Sequence, residues 1–202
     1  MIVAPGPTEG RPYRMVARAA AAEATVSRLL EVAVDLFTEK PYDDVSLDEI
    51  ASLAGVTKRT LLRRFGSKEA LFVAAMEGAR KEMISLRGTT AVGDIPAAVA
   101  GLLDQYERWG ANRLRMLSQE DRIPVITEHV KGGRRWHWQW VERTFAPLIR
   151  NLERAPKKRR IASIVAITDV YTWKLLRRDL GLSRADTELI LVDLITRLQG
   201  EN

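Results

Sequence analysis

The chain contains no cysteine. Disulfides, thiolate metal sites and cysteine nucleophiles are therefore excluded. Its two histidines, His129 and His137, are too few for a histidine metal cluster, and no metal or other cofactor is expected. No apolar run approaches the roughly 20 residues that cross a bilayer. Arg14 and Arg18 interrupt the amino-terminal stretch where a signal peptide would carry its apolar core. A cytoplasmic chain without a membrane partner is the expectation. Catalytic signatures are missing too: there is no glycine-rich phosphate loop and no Gly-x-Ser-x-Gly. Glu120-Asp121 could mimic a paired-carboxylate site, but such neighbours lie on different helix faces. A helical-bundle enzyme is thus the remote alternative. Alternating period-two segments between hairpin turns are absent as well, which removes the signal for a sheet.

What is present is helical periodicity and charge. The net charge is +6 over 202 residues. Residues 1–72 hold ten basic and ten acidic side chains, so the whole excess lies in the remainder, 22 basic against 16 acidic. Within the neutral first part the cations are local: Lys58, Arg59, Arg63, Arg64 and Lys68 sit together, while Asp43, Asp44, Asp48 and Glu49 collect upstream. A local patch suffices for phosphate contact, because salt confines such fields to roughly 8–10 Å.

Residues 1–21 carry Pro5, Pro7 and Pro12 and are expected to form a flexible arm. From Ala24 onward Leu29, Ala33, Leu36 and Phe37 follow the i, i+4, i+7, i+8 spacing of an amphipathic helix that Pro41 ends. Ser46 caps a second helix with Asp48 and Glu49 in its first turn, and Gly55 suits the left-handed residue that closes it. Thr57 caps a third, with Leu61 and Phe65 inward; Ser67 caps a fourth, Lys68–Arg87. A fifth runs from Asp94 to about Gln119. A short segment near Arg122–Val130 is expected to be separated by Gly132-Gly133 from a helix kinked at Pro147. Two last helices follow, from Pro156 to about Leu180 and from Ser183 to about Leu198. The expected architecture is all-α, about nine helices: arm 1–21, a three-helix unit 22–70, and a larger bundle 71–202.

Two short helices joined by a tight glycine turn, the second basic at its start, are the build of a helix-turn-helix that reads DNA. The register extends well beyond the turn. Leu36-Phe37, Ser46, Ile50-Ala51, Ala54-Gly55-Val56, Thr60-Leu61, Phe65, Ser67-Lys68-Glu69 and Leu71 together resemble the amino-terminal pattern of the tetracycline-repressor (TetR) family, without gaps over roughly residues 25–75. The resemblance implies a DNA-binding transcriptional regulator. Its members are homodimers whose carboxy-terminal bundle often binds a small effector, and repression of a palindromic operator is the expected mode. A DNA-binding regulator without an effector is the second reading. The chain departs from the family pattern at Arg59, Leu62, Arg63 and Arg64, where glycine, tyrosine, histidine and an aromatic are usual, which changes the expected operator and not the mode.

Expected DNA contacts are Ser46, Thr57, Lys58, Arg59, Thr60, Leu62, Arg63 and Lys68. The threonine hydroxyls and the helix amino terminus suit phosphate. Arg59, with Arg63 one turn on, suits bidentate guanine contact, and Leu62 suits a thymine methyl. Lys68 is expected at the DNA backbone. Taken alone such a charge run is a solvated face; the register makes DNA contact the stronger reading.

All five tryptophans lie in the second part. Tyr106, Trp109 and Arg113 fall at i, i+3, i+7, and Trp136 and Trp140 share a face. Taken alone these are core positions. With the resemblance they become the expected effector pocket. Arg113 is a ligand for a carboxylate or a partner of Glu120 or Glu107. The stripes Ile161, Ile164, Val165, Thr168, Thr172 and Leu191, Leu194, Ile195, Leu198 either close the bundle or form the homodimer interface. Lys157–Arg160 reads as a solvated helix start.

Overall fold

A computed structural model describes residues 10–87 and 90–199, with side-chain surroundings given for residue 19 onward except 82, 83 and 85–87. Among the described residues the chain is helical, without a strand. It divides into two compact units, Met1–Ala75 and Met76–Asn202.

The first unit holds α1 (Gly10–Glu39), α2 (Leu47–Leu53), α3 (Lys58–Phe65) and the opening turns of α4 (Lys68–Arg87). Helix α2 packs on both α1 and α3. Leu29, Ala33 and Phe37 of α1, Ile50 and Ala51 of α2, Leu61 of α3 and Leu71 and Phe72 of α4 are buried. Phe37 stacks on Tyr42 at 5.5 Å between centroids, and Phe72 meets both rings edge-on. The flexible arm expected over 1–21 is corrected from residue 10 onward. Helix α1 begins at Gly10, with Pro12 in the first turn, where a missing N–H costs little, and continues through the alanines 19–22. Residues 1–9 lie outside the described residues.

The second unit is organised around α5 (Ile95–Leu117), which packs against α6 (Pro124–Thr144), α8 (Val170–Lys174) and α9 (Arg184–Arg197), while α7 (Arg154–Ile167) packs on α6 and α9. Asp94 caps α5 by accepting from Ala97 N at 3.0 Å. Leu102, Leu103, Trp140, Phe145, Ile164 and Trp173 form the centre of the core.

Three boundaries differ from expectation. Helix α6 passes unbroken through Gly132-Gly133. One glycine costs only about 1 kcal/mol in a helix, and a Cβ on Gly132 would stand 3.3 Å from Arg80 Nη1, so glycine permits a close approach there. Pro147 does not kink a helix. Helix α6 has already ended at Thr144, and Pro147 lies in a 3-10 turn, Ala146–Leu148. The helix expected from Pro156 to Leu180 starts at Arg154 and breaks at Thr168-Asp169, where Asp169 Oδ1 accepts from Tyr171 N at 2.9 Å and caps α8. Helix α8 then passes into a π-helical turn, Leu175–Asp179.

Candidate nucleic-acid interface

The turn between α2 and α3 follows from two hydroxyl caps and one glycine. Ser46 Oγ accepts from Glu49 N at 3.0 Å, and Thr57 Oγ1 accepts from Thr60 N at 3.2 Å. Gly55, at φ +69°, makes the sharp reversal that a side chain would strain. Leu61 is fully buried and Phe65 half-buried, so they anchor the inner side of α3. Lys58, Arg59, Leu62, Arg63 and Arg64 are exposed; Leu62, at 36 %, is an uncovered leucine beside the arginines.

Ion pairing sorts the cations. Lys58 Nζ donates to Asp48 Oδ2 at 2.8 Å, so its charge is largely neutralised within the motif. Lys40 pairs with Glu49 in the same way. Lys68 is turned inward. Its Nζ donates to the Tyr42 carbonyl at 2.6 Å, stands 4.3 Å over the Tyr42 ring, and burial lowers its pKa from the lysine norm. Lys68, expected at the DNA backbone, thus ties the start of α4 to the Tyr42–Asp44 turn within the chain itself. Arg59, Arg63 and Arg64 make no ion pair or hydrogen bond among the described residues. Asp48, one acid that might have taken Arg64, is held by Lys58.

One cation beside the turn is missing from the sequence reading. Arg28 of α1 is exposed, makes no ion pair among the described residues, and puts Nη1 3.7 Å from where a Gly55 Cβ would stand. No spacing rule links positions 28 and 55, so only the fold brings it there. An open groove of about 380 Å³ lies alongside, lined by Ala22, Thr25, Leu29, Thr60, Arg63 and Arg64 among others.

In the second unit the expected effector residues differ in burial. Tyr106 is buried and donates its hydroxyl to the Thr168 carbonyl at 2.9 Å. Trp140 is 1 % exposed within the core, stacked with His137. Trp109 and Trp136 are half-buried. The Arg113 guanidinium lies 5.7 Å from the Tyr106 ring centroid. His137 is a satisfied core histidine whose Nε2 is 3.1 Å from Thr168 Oγ1. Of the expected interface stripe, Ile161, Ile164, Thr168, Leu191 and Ile195 are buried inside the single chain, whereas Val165, Thr172 and Leu198 are half-buried and Leu194 is 41 % exposed. The first five are thereby corrected from interface to core. The uncovered apolar side chains of this region are Tyr171, Leu175, Leu180, Leu189 and Leu194. Arg160, expected as part of a solvated run, is buried and donates to the Leu198 carbonyl, closing the end of α9.

Residues 29–75 match the family model described as bacterial regulatory proteins, tetR family. The chain is 38% identical over 69 residues to the HTH-type transcriptional regulator RutR of Escherichia coli (strain K12), covering 34% of this chain and 32% of that one. It is 30% identical over 112 residues to the HTH-type transcriptional activator FasR of Mycolicibacterium smegmatis, covering 52% and 51%. The chain thus spans about a third and about half of these relatives' lengths. A tetR-family transcriptional regulator from Streptomyces coelicolor shares the fold with a TM-score of 0.70 at 21% identity, over 87% of this chain and 80% of that one. The motif and these likenesses agree on residues 29–75, which carry the amino-terminal pattern of the tetR family of bacterial regulatory proteins, and the helical architecture of the chain is that of the solved regulator.

Proposed function

We propose that the protein is a cytoplasmic, ligand-responsive repressor that binds a palindromic operator as a homodimer. The observation that carries this reading is the unpaired face of α3. Arg59, Arg63 and Arg64 project outward without a carboxylate partner in a motif whose other cations are neutralised or turned inward. Unpaired guanidinium groups at the start of a helix suit base edges and phosphates. Arg59 and Arg63, one turn apart, are assigned to base contact. Thr57, Thr60, Ser46 and Arg28 are assigned to phosphates, and Leu62 to an apolar base edge. Lys58 contributes less, since binding DNA competes with Asp48.

Dimerisation is assigned to the uncovered side chains of α8, the π-helical turn and α9, Tyr171, Leu175, Leu189 and Leu194, which suit a self-complementary two-fold interface. A two-fold dimer sets its reading helices about 34–36 Å apart. Effector response is assigned to the second unit. No helix among the described residues is long and apolar enough to cross a membrane, which accords with action on DNA in the cytoplasm.

Selection from a random duplex pool tests this. A repeated half-site enriched with two-fold symmetry is expected, with affinity falling steeply as salt rises. A pool that stays random at low ionic strength refutes DNA reading, and a single unrepeated half-site refutes the dimer.

A further inference from the structure

Positive charge in the second unit is not spread evenly. Residues 150–160 carry six basic side chains, Arg150, Arg154, Lys157, Lys158, Arg159 and Arg160, against one acid, Glu153. That is five of the six charges by which residues 73–202 exceed neutrality. The stretch covers the turn after α6 and the first two turns of α7. Arg150, Arg154, Lys158 and Arg159 are exposed and Lys157 is half-buried. None of these five side chains has an ion pair or hydrogen bond among the described residues. Other cations of the unit lack an acid too; density sets these apart. Arg154 and Lys158 stand one turn apart on one helix face, where like charges cost stability. A solvated run left with that repulsion suits an acidic partner.

Beside the run lies an open cleft of about 280 Å³, lined by Pro147, Leu148, Asn151, Leu152, Arg160 and Gln199. Pro147, Leu148 and Leu152 give it an apolar side. Asn151 and Gln199, both exposed, give it two side-chain amides. Arg160 is buried and, by donating to the Leu198 carbonyl, ties the end of α9 to this wall. The Ala91–Gly93 turn abuts Pro147, since a Cβ on Gly93 would stand 3.1 Å from Pro147 Cγ, and Val92 in that turn is 58 % exposed.

Size decides which occupant fits. Small-molecule pockets run to about 300–1,000 Å³ and enclose their ligands. This cleft is smaller and open, with room for a side chain of a larger partner. A phosphate backbone would use the cations but brings no apolar group for Pro147, Leu148 and Leu152. An acidic protein segment uses both, and its main-chain amides pair with the side-chain amides of Asn151 and Gln199.

We propose that the cleft and the basic run beside it form a docking surface for a segment of a partner protein that is rich in acids and carries an apolar side chain among them. The carboxylates meet Arg154, Lys158 and Arg159, and the apolar side chain enters the cleft beside Leu148 and Leu152. The surface draws on no residue of the DNA-reading face, so it does not rest on the regulator reading above.

The test uses the full chain and two fluorescently labelled probes of equal length, poly-L-glutamate and a random copolymer of glutamate with tyrosine, read by anisotropy at physiological salt. The copolymer is expected to bind, and several-fold tighter than poly-L-glutamate, because only the copolymer can fill the cleft. The triple variant Arg154→Ser, Lys158→Ser, Arg159→Ser is expected to bind the copolymer about tenfold more weakly or worse. It should melt at or above wild type and keep wild-type operator affinity. Leu152→Ser is expected to remove the copolymer's advantage over poly-L-glutamate. The triple variant, confined to exposed positions, keeps the test open if Leu152→Ser does not fold. No binding of the copolymer by wild type overturns the proposal, as does undiminished binding by the triple variant. Equal affinity of wild type for the two polymers overturns the part given to the cleft. Binding of a random duplex or of phosphatidylserine vesicles through these three cations, without binding of the copolymer, overturns the choice of a protein partner. A chain that binds the copolymer but selects no duplex refutes the regulator and leaves this surface standing.

Discussion

Arginine does opposite work in α3 and in the bundle around α5. In the bundle Arg177 and Arg184 reach across to acids on α5, Glu107 and Asp104, and each bridge fixes one helix against another. Around α3 the acids upstream are consumed by lysines, Asp48 by Lys58 and Glu49 by Lys40, so the arginines are left outward and unpaired. Charge that the fold satisfies internally is structural. Charge it leaves over is available to a partner. Exposure alone does not separate these cases, because Lys58 and Arg59 are both exposed and only one of them is held.

The largest effect is expected where the internal pairing is deepest. Trp173 is 1 % exposed, lies against Gly110, and donates Nε1 to Glu107 Oε1 at 3.2 Å beside the Arg177 bridge. Trp173→Ala should cost about 3–5 kcal/mol in urea unfolding. Gly110→Ala should cost about 1–3 kcal/mol, because a Cβ would stand 2.5 Å from Trp173 Cζ3 and the indole must shift. If either variant unfolds like wild type, the indole is not seated as described.

On the other side of the comparison, Arg59→Ala should leave the unfolding midpoint unchanged and weaken specific DNA binding by about 1–3 kcal/mol, roughly tenfold to a hundredfold. A gel shift on the selected operator reads this directly. Arg28→Ala should weaken every duplex alike and flatten the salt dependence by about one unit of slope, the mark of a phosphate contact. Equal affinity of Arg59→Ala and wild type would remove base reading from α3.

Lys58 is the case that sharpens the rule. Lys58→Ala should lower DNA affinity by less than about 1 kcal/mol, since an exposed pair is weak and its charge is already balanced. Asp48→Asn should tighten binding a few-fold by releasing that charge. Lys68→Ala should instead lower stability and spare DNA affinity, because Lys68 Nζ is spent on the Tyr42 carbonyl and ring. If Lys68→Ala weakens DNA binding without loss of stability, its inward placement is wrong in function.

Much of the first unit was legible because its determinants are local. Ser46, Gly55 and Thr57 act within four residues of themselves, and the Leu/Phe spacing of α3 needs only helical periodicity. Pairing was not legible. Lys58 finds Asp48 ten residues away and Lys68 finds Tyr42 across 26, distances at which sequence spacing carries no direction. In the bundle, Gly132-Gly133 looks like a break because glycine is a poor helix former, yet close approach of Arg80 explains the residue without ending the helix. The stripe Ile161, Ile164, Leu191, Ile195 has the right period for burial, but periodicity does not say whether the chain itself or a second copy covers it. Those four are covered by the chain itself, whereas Leu189 and Leu194, on α9 with Leu191 and Ile195, are exposed.

The smallest expected effect concerns acid. His129 faces Arg113, Arg80 and Glu77, and burial together with the two cations lowers its pKa below the ordinary value of 6.5. The unfolded chain therefore takes up a proton at His129 before the folded chain does. Stability from this group is complete above about pH 6.5 and is lost progressively as the pH falls through that value toward the lowered folded pKa. Urea midpoints between pH 7.5 and 5 should fall more steeply for wild type than for His129→Gln, which keeps hydrogen-bonding capacity without the titration. Identical slopes in wild type and His129→Gln would assign the acid sensitivity to another group and separate His129 from the Arg80–Arg113 field.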